Sequence, residues 1–261
     1  MRLNDRQRVI LSRLHSGDYV EVKDLADALD VDVSTIRRDL QTLTKSGLVE
    51  RLHGGVRIRH DDEGTRQNAS RVRREHLAIA AAARRTLRNG HSIGLSSGPI
   101  SEQLVPLLFD LDELTIVTHD LRAADALSRH AQFRVFVAGG ELRDGTGQAT
   151  TSGPDTAAYL ENHPTDWAFL EVDGVHPFAG LTTSAPWRVS AHRALLAAGR
   201  RRCVLASSRV FGVRCVGYVA EVDAADIVIT DEHLDDEDLP PFHGKVVRAA
   251  LDPSEDWRPR T

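Results

Sequence analysis

Residues 31–57, VDVSTIRRDLQTLTKSGLVERLHGGVR, place two basic elements one after the other. Asp32 has the short acceptor side chain that caps a helix, and Ile36, Leu40 and Leu43 follow at i, i+4 and i+7. That spacing predicts a helix with one buried stripe. Ser34, Thr35, Arg37, Arg38 and Gln41 fall outside the stripe and make a short face rich in hydrogen-bond donors. Gly47 stands where such a helix stops, and the run from Leu48 to Arg51 predicts a strand. Gly54 and Gly55 turn it back, with Arg51, His53, Arg57 and Arg59 around the bend. The donor-rich helix suits the base edges of a major groove, and the basic hairpin suits phosphate or the minor groove beside it.

Upstream, Val9, Ile10 and Leu14 share one helical face, and Val22, Leu25, Ala26 and Leu29 share another. Three short helices with a tight turn between the second and third predict a helix-turn-helix over residues 1–58. Thr35-Ile36-Arg37-Arg38-Asp39-Leu40 followed by Arg51-Leu52-His53-Gly54-Gly55 resembles the DeoR family of bacterial transcriptional regulators, whose recognition helix carries TIRRDL and whose wing carries R-x-HGG. The resemblance implies a DNA-binding regulator, a repressor by expectation, with double-stranded operator DNA as its partner.

Charge is divided unevenly. The 261 residues carry a net −5, yet residues 1–60 hold 11 Lys and Arg against 9 Asp and Glu, leaving 22 against 29 for the rest. DNA affinity must therefore come from a focused basic patch and not from the total field. Two cysteines, Cys203 and Cys215, are too few for a disulfide framework or a zinc site and are expected as core thiols. No run of eighteen apolar residues occurs, and the N-terminus is polar and amphipathic, which predicts a cytoplasmic protein with no membrane partner.

Residues 59–74 are polar, with Asp61-Asp62-Glu63-Gly64 and scattered arginines, and are expected as a linker. From residue 75 to 261 the pattern becomes periodic. Leu77, Ala80, Ala81, Ala83 and Leu87 predict a helix closed near Asn89-Gly90. Short apolar runs at 91–95, 114–118, 133–138, 167–172, 203–206 and 227–230 then alternate with helical stretches at 101–108, 121–128, 154–160 and 189–198. Such alternation predicts an α/β body with a mostly parallel sheet covered on both faces. The tail after Asp235 is acidic and then proline-containing, and is expected to lie on the surface or fray.

Ligands of parallel sheets bind at the carboxyl ends of the strands. There the sequence places Ser96-Ser97-Gly98-Pro99-Ile100-Ser101, Thr118-His119-Asp120, Gly139-Gly140, Glu171-Val172-Asp173-Gly174, Ser207-Ser208-Arg209 and Asp231. The first loop, with small residues, a glycine and a helix start, suits a phosphate held by backbone amides and hydroxyls. The resemblance to the DeoR family continues here through Ile93, Leu95 and Gly98, Thr118, Gly139-Gly140, Asp173-Gly174, Gly180-Leu181-Thr182, Ser207-Ser208, Phe211-Gly212 and Ile229-Thr230-Asp231. It implies a sensor domain related in fold to ribose-5-phosphate isomerase that binds a phosphorylated sugar and thereby loosens operator DNA.

The body also departs from the family pattern. Ser96 stands for an aspartate, Pro99 and Ile100 for two threonines, His119-Asp120 for Asn-Ser, and Arg209 for a lysine, with Val210 inserted before Phe211. Positive charge persists as Arg188, His192 and Arg209 on different stems. A small anionic effector such as a phosphorylated sugar is therefore expected on Ser96, Ser97, Gly98, Ser101, Thr118, His119, Gly139, Gly140, Asp173, His192 and Arg209.

An enzyme of the sugar-phosphate isomerase kind with a DNA-binding head is the alternative, with Asp173 or Glu171 as base and Arg209 as electrophile. The plainer reading makes Asp173-Gly174 a turn and Glu171 a strand-end carboxylate paired with an arginine. An architectural DNA binder that senses nothing is a third. No nucleophile elbow, P-loop, HExxH or CxxC occurs, and His119, His176 and His192 are scattered singly, so no metal or cofactor is expected. Because one head reads too few base pairs for a genomic site, a homodimer or homotetramer through the body is expected.

Overall fold

The structure is a computed structural model that describes residues 5–14, 20–29, 31–45, 49–52, 55–58, 62–144, 149–238, 242 and 244–251. The chain forms two compact units, Met1–Ala69 and Ser70–Thr261.

In the first unit the helices α1 (Asp5–Arg13), α2 (Val22–Leu29) and α3 (Val33–Lys45) surround a small core of Ile10, Leu14, Leu25, Ala26, Ile36, Leu40, Leu43, Val49 and Val56. Ile36, Leu40 and Leu43 have no exposed surface, as their spacing predicts. Val9, expected inward, is instead 39% exposed. Asp32 caps α3, accepting from the Ser34 amide at 2.7 Å, and its backbone carbonyl accepts from the Thr35 amide at 2.9 Å. The strands β1 (Val20–Glu21), β2 (Val49–Leu52) and β3 (Gly55–Ile58) form a sheet in the order β1-β3-β2, with Leu52 opposite Gly55 at the tip of the wing. Gly47, His53, Gly54 and Arg59 lie outside the described residues.

The expected linker is largely helix. The fourth helix, α4, runs Asp62–Arg84 and takes in both the polar segment and the periodic one that follows it. Its stretch 68–74 is mostly exposed, while Glu75, Ala78, Ile79, Ala80 and Ala83 are buried. Residues 68–74 are polar because they are solvated on most sides, and the segment's Arg, Gln, Ala and Glu are good helix formers.

The second unit continues with β4 (Ser92–Leu95), α5 (Pro99–Leu107), β5 (Thr115–Thr118), α6 (Leu121–Ser128), β6 (Arg134–Val137), β7 (Glu141–Asp144), β8 (Ala149–Ser152) and α7 (Pro154–Glu161). Then come β9 (Thr165–Glu171), β10 (Gly174–His176), β11 (Gly180–Thr183), α8 (Val189–Ala198), β12 (Gly199–Leu205), β13 (Gly217–Ala220), β14 (Ile227–Asp231) and β15 (Val246–Ala249). Seven of these strands make a sheet in the order β15-β14-β12-β9-β4-β5-β6, every neighbouring pair parallel. Side chains alternate between two cores, so Ile93, Leu95, Trp167, Phe169, Cys203 and Leu205 pack on one face and Leu170, Val204 and Val228 on the other. Burial on both faces accounts for the unbroken apolar runs.

Two features were not expected. A hairpin of β7 and β8 and a small antiparallel sheet of β10, β11 and β13 stand outside the main sheet. The tail, expected on the surface, contributes β15, which pairs with β14 from Val228↔Val246 to Asp231↔Ala249. Residues 252–261 lie outside the described residues.

Candidate DNA-reading face and effector site

On α3 the side chains of Ser34, Arg37, Arg38 and Gln41 are exposed and Thr35 is half-buried. Asp39 lies on the same helix but is buried, where its carboxylate accepts from Arg6 Nε and, at 3.2 Å, from Gln7 Nε2. It pins α1 to α3 and keeps negative charge off the donor-rich face. The wing strands put Arg51 opposite Val56 and Glu50 opposite Arg57.

The order of the main sheet reverses at β4. Its partners β5 and β6 extend one way, and β9, β12, β14 and β15 extend the other. Such a reversal leaves a crevice at the carboxyl ends of the strands. Here β9, β4 and β5 end side by side on Glu171, on Ser96-Ser97-Gly98 and on His119. The Ser96 hydroxyl accepts from the Glu171 amide at 2.8 Å, and the Ser96 amide donates to the Phe169 carbonyl at 3.0 Å, which ties the first loop to β9.

Gly98 caps α5 with no side chain to offer, and Pro99 opens the helix. The acceptor comes from β9: one carboxylate oxygen of Glu171, Oε2, takes the amides of both Ile100 and Ser101 at 3.0 Å. The strand-end carboxylate therefore pairs with a helix start, where an arginine was expected. Loss of water around the carboxyl pushes Glu171 up to about 8, against the two amides that favour its charged form. The signal for this in the sequence was a helix beginning Gly-Pro, which needs an acceptor from elsewhere.

Other polar groups at the strand ends and on the helices find no partner. The hydroxyls of Ser97 and of Ser101 on α5 and both ring nitrogens of His119 and of His192 on α8 are buried without a hydrogen bond, as is the hydroxyl of Thr230 near the end of β14. The two imidazoles lie with ring centroids 6.1 Å apart. Burial holds His119 down to about 4 and His192 well below the ordinary imidazole value, and Arg188 beside them acts in the same direction. Both rings are neutral at pH 7, so each offers one donor and one acceptor.

Thr118, Gly139, Gly140, Asp173 and Arg209, also expected at the effector site, are engaged within the body. Thr118 donates from its hydroxyl to the Leu95 carbonyl at 2.8 Å and receives the Asp120 amide at 3.0 Å. Gly139 accepts from the Thr156 hydroxyl at 2.6 Å, and Gly140 sits so close to Thr156 and the Ser152 carbonyl that no side chain fits. Asp173 braces its loop, accepting from the Thr183 hydroxyl and from both the amide and the hydroxyl of Ser184 at 2.7–3.0 Å. Arg209 donates to Glu75 of α4. Sequence reasoning passed over Glu75, a buried carboxylate that also meets Arg71, because a lone Glu amid a polar run gives no sign of burial. Among the described residues no group of three or more side chains could hold a metal ion, and no helix is long and apolar enough to cross a membrane.

A winged helix-turn-helix followed by a parallel α/β body with a polar crevice defines a DNA-binding transcriptional regulator. Residues 6–62 match the DeoR-like helix-turn-helix domain and residues 72–232 the DeoR C terminal sensor domain, so the chain belongs to the DeoR family. It is 28% identical over 230 residues to the HTH-type transcriptional regulator FruR of Bacillus subtilis, covering 87% of this chain and 90% of that one. It is 26% identical over 235 residues to the glycerol-3-phosphate regulon repressor of Escherichia coli, covering 88% and 92%. Relatives along nearly the whole chain are named as regulators and repressors, and this member of the family is a DNA-binding transcriptional regulator. Among solved structures, a D-ribose-5-phosphate isomerase in complex with phospho-erythronic acid is similar over 52% of each chain at 15% identity, with a TM-score of 0.39.

Proposed function

We propose that this regulator is a cytoplasmic repressor that acts as a homodimer or homotetramer, and that a small anionic metabolite such as a phosphorylated sugar changes its hold on operator DNA. Ser34, Thr35, Arg37, Arg38 and Gln41 read the major groove, while Arg51, His53, Gly54, Gly55 and Arg57 follow the phosphates. The effector enters the crevice over Ser97, His119 and His192. The observation that carries this reading is the set of buried ring nitrogens and hydroxyls with no partner at the strand ends and on α8. Buried polar groups are nearly always paired, and a site built to take a ligand is where they are not. The name of the glycerol-3-phosphate regulon repressor supports a phosphorylated polyol or sugar as the effector class.

The test is a melting-temperature screen of the full chain against phosphorylated and unphosphorylated sugars and polyols. It is followed by titration of a DNA fragment that the protein selects from a random pool. A hit should raise the melting temperature and shift DNA affinity by about 1–3 kcal/mol, the usual size of such coupling. A panel that shifts neither would sink the effector reading and leave the DNA-binding one standing.

A further inference from the structure

We propose that Glu171 is a specificity residue of the crevice: its carboxylate fills the amide cradle at the start of α5, so the part of the effector that meets α5 is an uncharged, hydroxyl-bearing end and not a phosphate. The inference rests on the strand-end crevice being the effector site.

A phosphate at a helix start is held by the free amides of the first turn. In α5 none is left. Pro99 has no N–H, Ile100 and Ser101 both donate to Glu171, and the Glu102 amide donates to the Gly98 carbonyl at 2.9 Å. The space is taken as well as the amides. Gly98 adopts φ +155°, and a Cβ built on it would lie 2.1 Å from Glu171 Oε2, so the carboxyl sits directly on the glycine where an incoming oxyanion would have to pack.

What the crevice still offers a ligand fits hydroxyl groups. Ser97, His119 and His192 are 2%, 0% and 1% exposed and have no partners. A hydroxyl and two neutral imidazoles present both donors and acceptors, which pair with groups that both give and take a hydrogen bond. A phosphate dianion takes only donors. If the effector carries a phosphate, that group is held away from α5.

Inorganic phosphate is the probe, titrated into the full-length protein while the amide resonances of Ile100 and Ser101 are followed. In the wild type, and in Glu171→Gln, which keeps the cradle filled, these resonances should not respond saturably. In Glu171→Gly, which empties it, they should shift with an affinity at least about tenfold above any wild-type binding, the scale of regaining charge-assisted bonds. Saturable phosphate binding at these amides in the wild type overturns the proposal, as does a folded Glu171→Gly protein that ignores phosphate. Should Glu171→Gly not fold, the wild type and Glu171→Gln decide alone, silence supporting the proposal and binding refuting it. The titration needs neither DNA nor effector, so its outcome is separate from that of the effector screen.

Discussion

Arg209 donates through Nε to Oε2 of Glu75 at 3.1 Å, joining the turn after β12 to α4. Glu75 has no exposed surface and also receives Arg71 Nε at 3.0 Å, so one buried carboxylate gathers cations from its own helix and from a strand-end loop. The Arg209 side chain is 40% exposed, so solvent weakens its share. Arg209→Ala should lower stability by roughly 1 kcal/mol, at the upper end for an ion pair open to water. A double-mutant cycle with Glu75→Gln checks it: coupling of about 0.5 kcal/mol or more is expected, and strict additivity would mean the pair is absent in solution.

Arg38 stands exposed on α3 beside Arg37. If it reaches a base edge, Arg38→Ala should cost about 1–3 kcal/mol on the selected fragment and flatten sequence preference. Fluorescence anisotropy against the fragment and against random DNA measures both. Equal losses on the two would reduce Arg38 to a phosphate contact.

Glu171 and His119 give the body opposite responses to pH. The carboxyl of Glu171 is raised to about 8 by burial, so its contribution is full below its unfolded value near 4.5 and is lost as pH rises through 8. His119 is depressed to about 4, so its contribution is present above 6.5 and is lost as pH falls toward 4. Between about pH 6.5 and 8 the Glu171 slope stands alone. The melting temperature of the body should fall across that window, and less so in Glu171→Gln. An identical slope in wild type and variant would show that the carboxyl titrates normally.

The paired glycines after β6 should behave differently from each other. A Cβ on Gly139 meets nothing within 4 Å, whereas one on Gly140, at φ +143°, would lie 2.1 Å from the Thr156 hydroxyl and 2.6 Å from the Ser152 carbonyl oxygen. Gly139→Ala should be within about 0.5 kcal/mol of wild type and Gly140→Ala should destabilise by roughly 1–3 kcal/mol, the cost of strain and crowding together. Denaturant melts of both variants decide it, and equal stabilities would remove the close approach as the reason for the second glycine.

The strands and helices of the body were legible because both of their periodicities are strong and each apolar run is bounded by turn residues. The recognition helix was legible from Asp32, Ile36, Leu40 and Leu43 alone. What escaped were features set by partners distant in the chain. The helical character of residues 62–74 was hidden by their polarity, and the pairing of β15 depends on β14, not on its own composition. At the site, the small-residue loop was correctly placed at a strand end, but its amides could not be known to be taken, because Glu171 arrives 70 residues later in the chain than Ser101. The burial of His119 and His192 likewise follows from the packing of α8 over the sheet and leaves no trace in local spacing.

The reversal of strand order at β4 also dictates a sequence of events during synthesis. Domains fold as they emerge, N-terminal parts first. Here β4, β5 and β6 can assemble in the order they leave the ribosome, but the other edge of β4 stays uncovered until Thr165–Glu171 has been made, and β12, β14 and β15 must then add outward one after another. An open parallel edge invites pairing with a neighbouring nascent chain. The sensor half of this regulator therefore carries an open edge on β4 while β7, β8 and α7 are being translated, and a nascent chain that dwells there is exposed to misassembly.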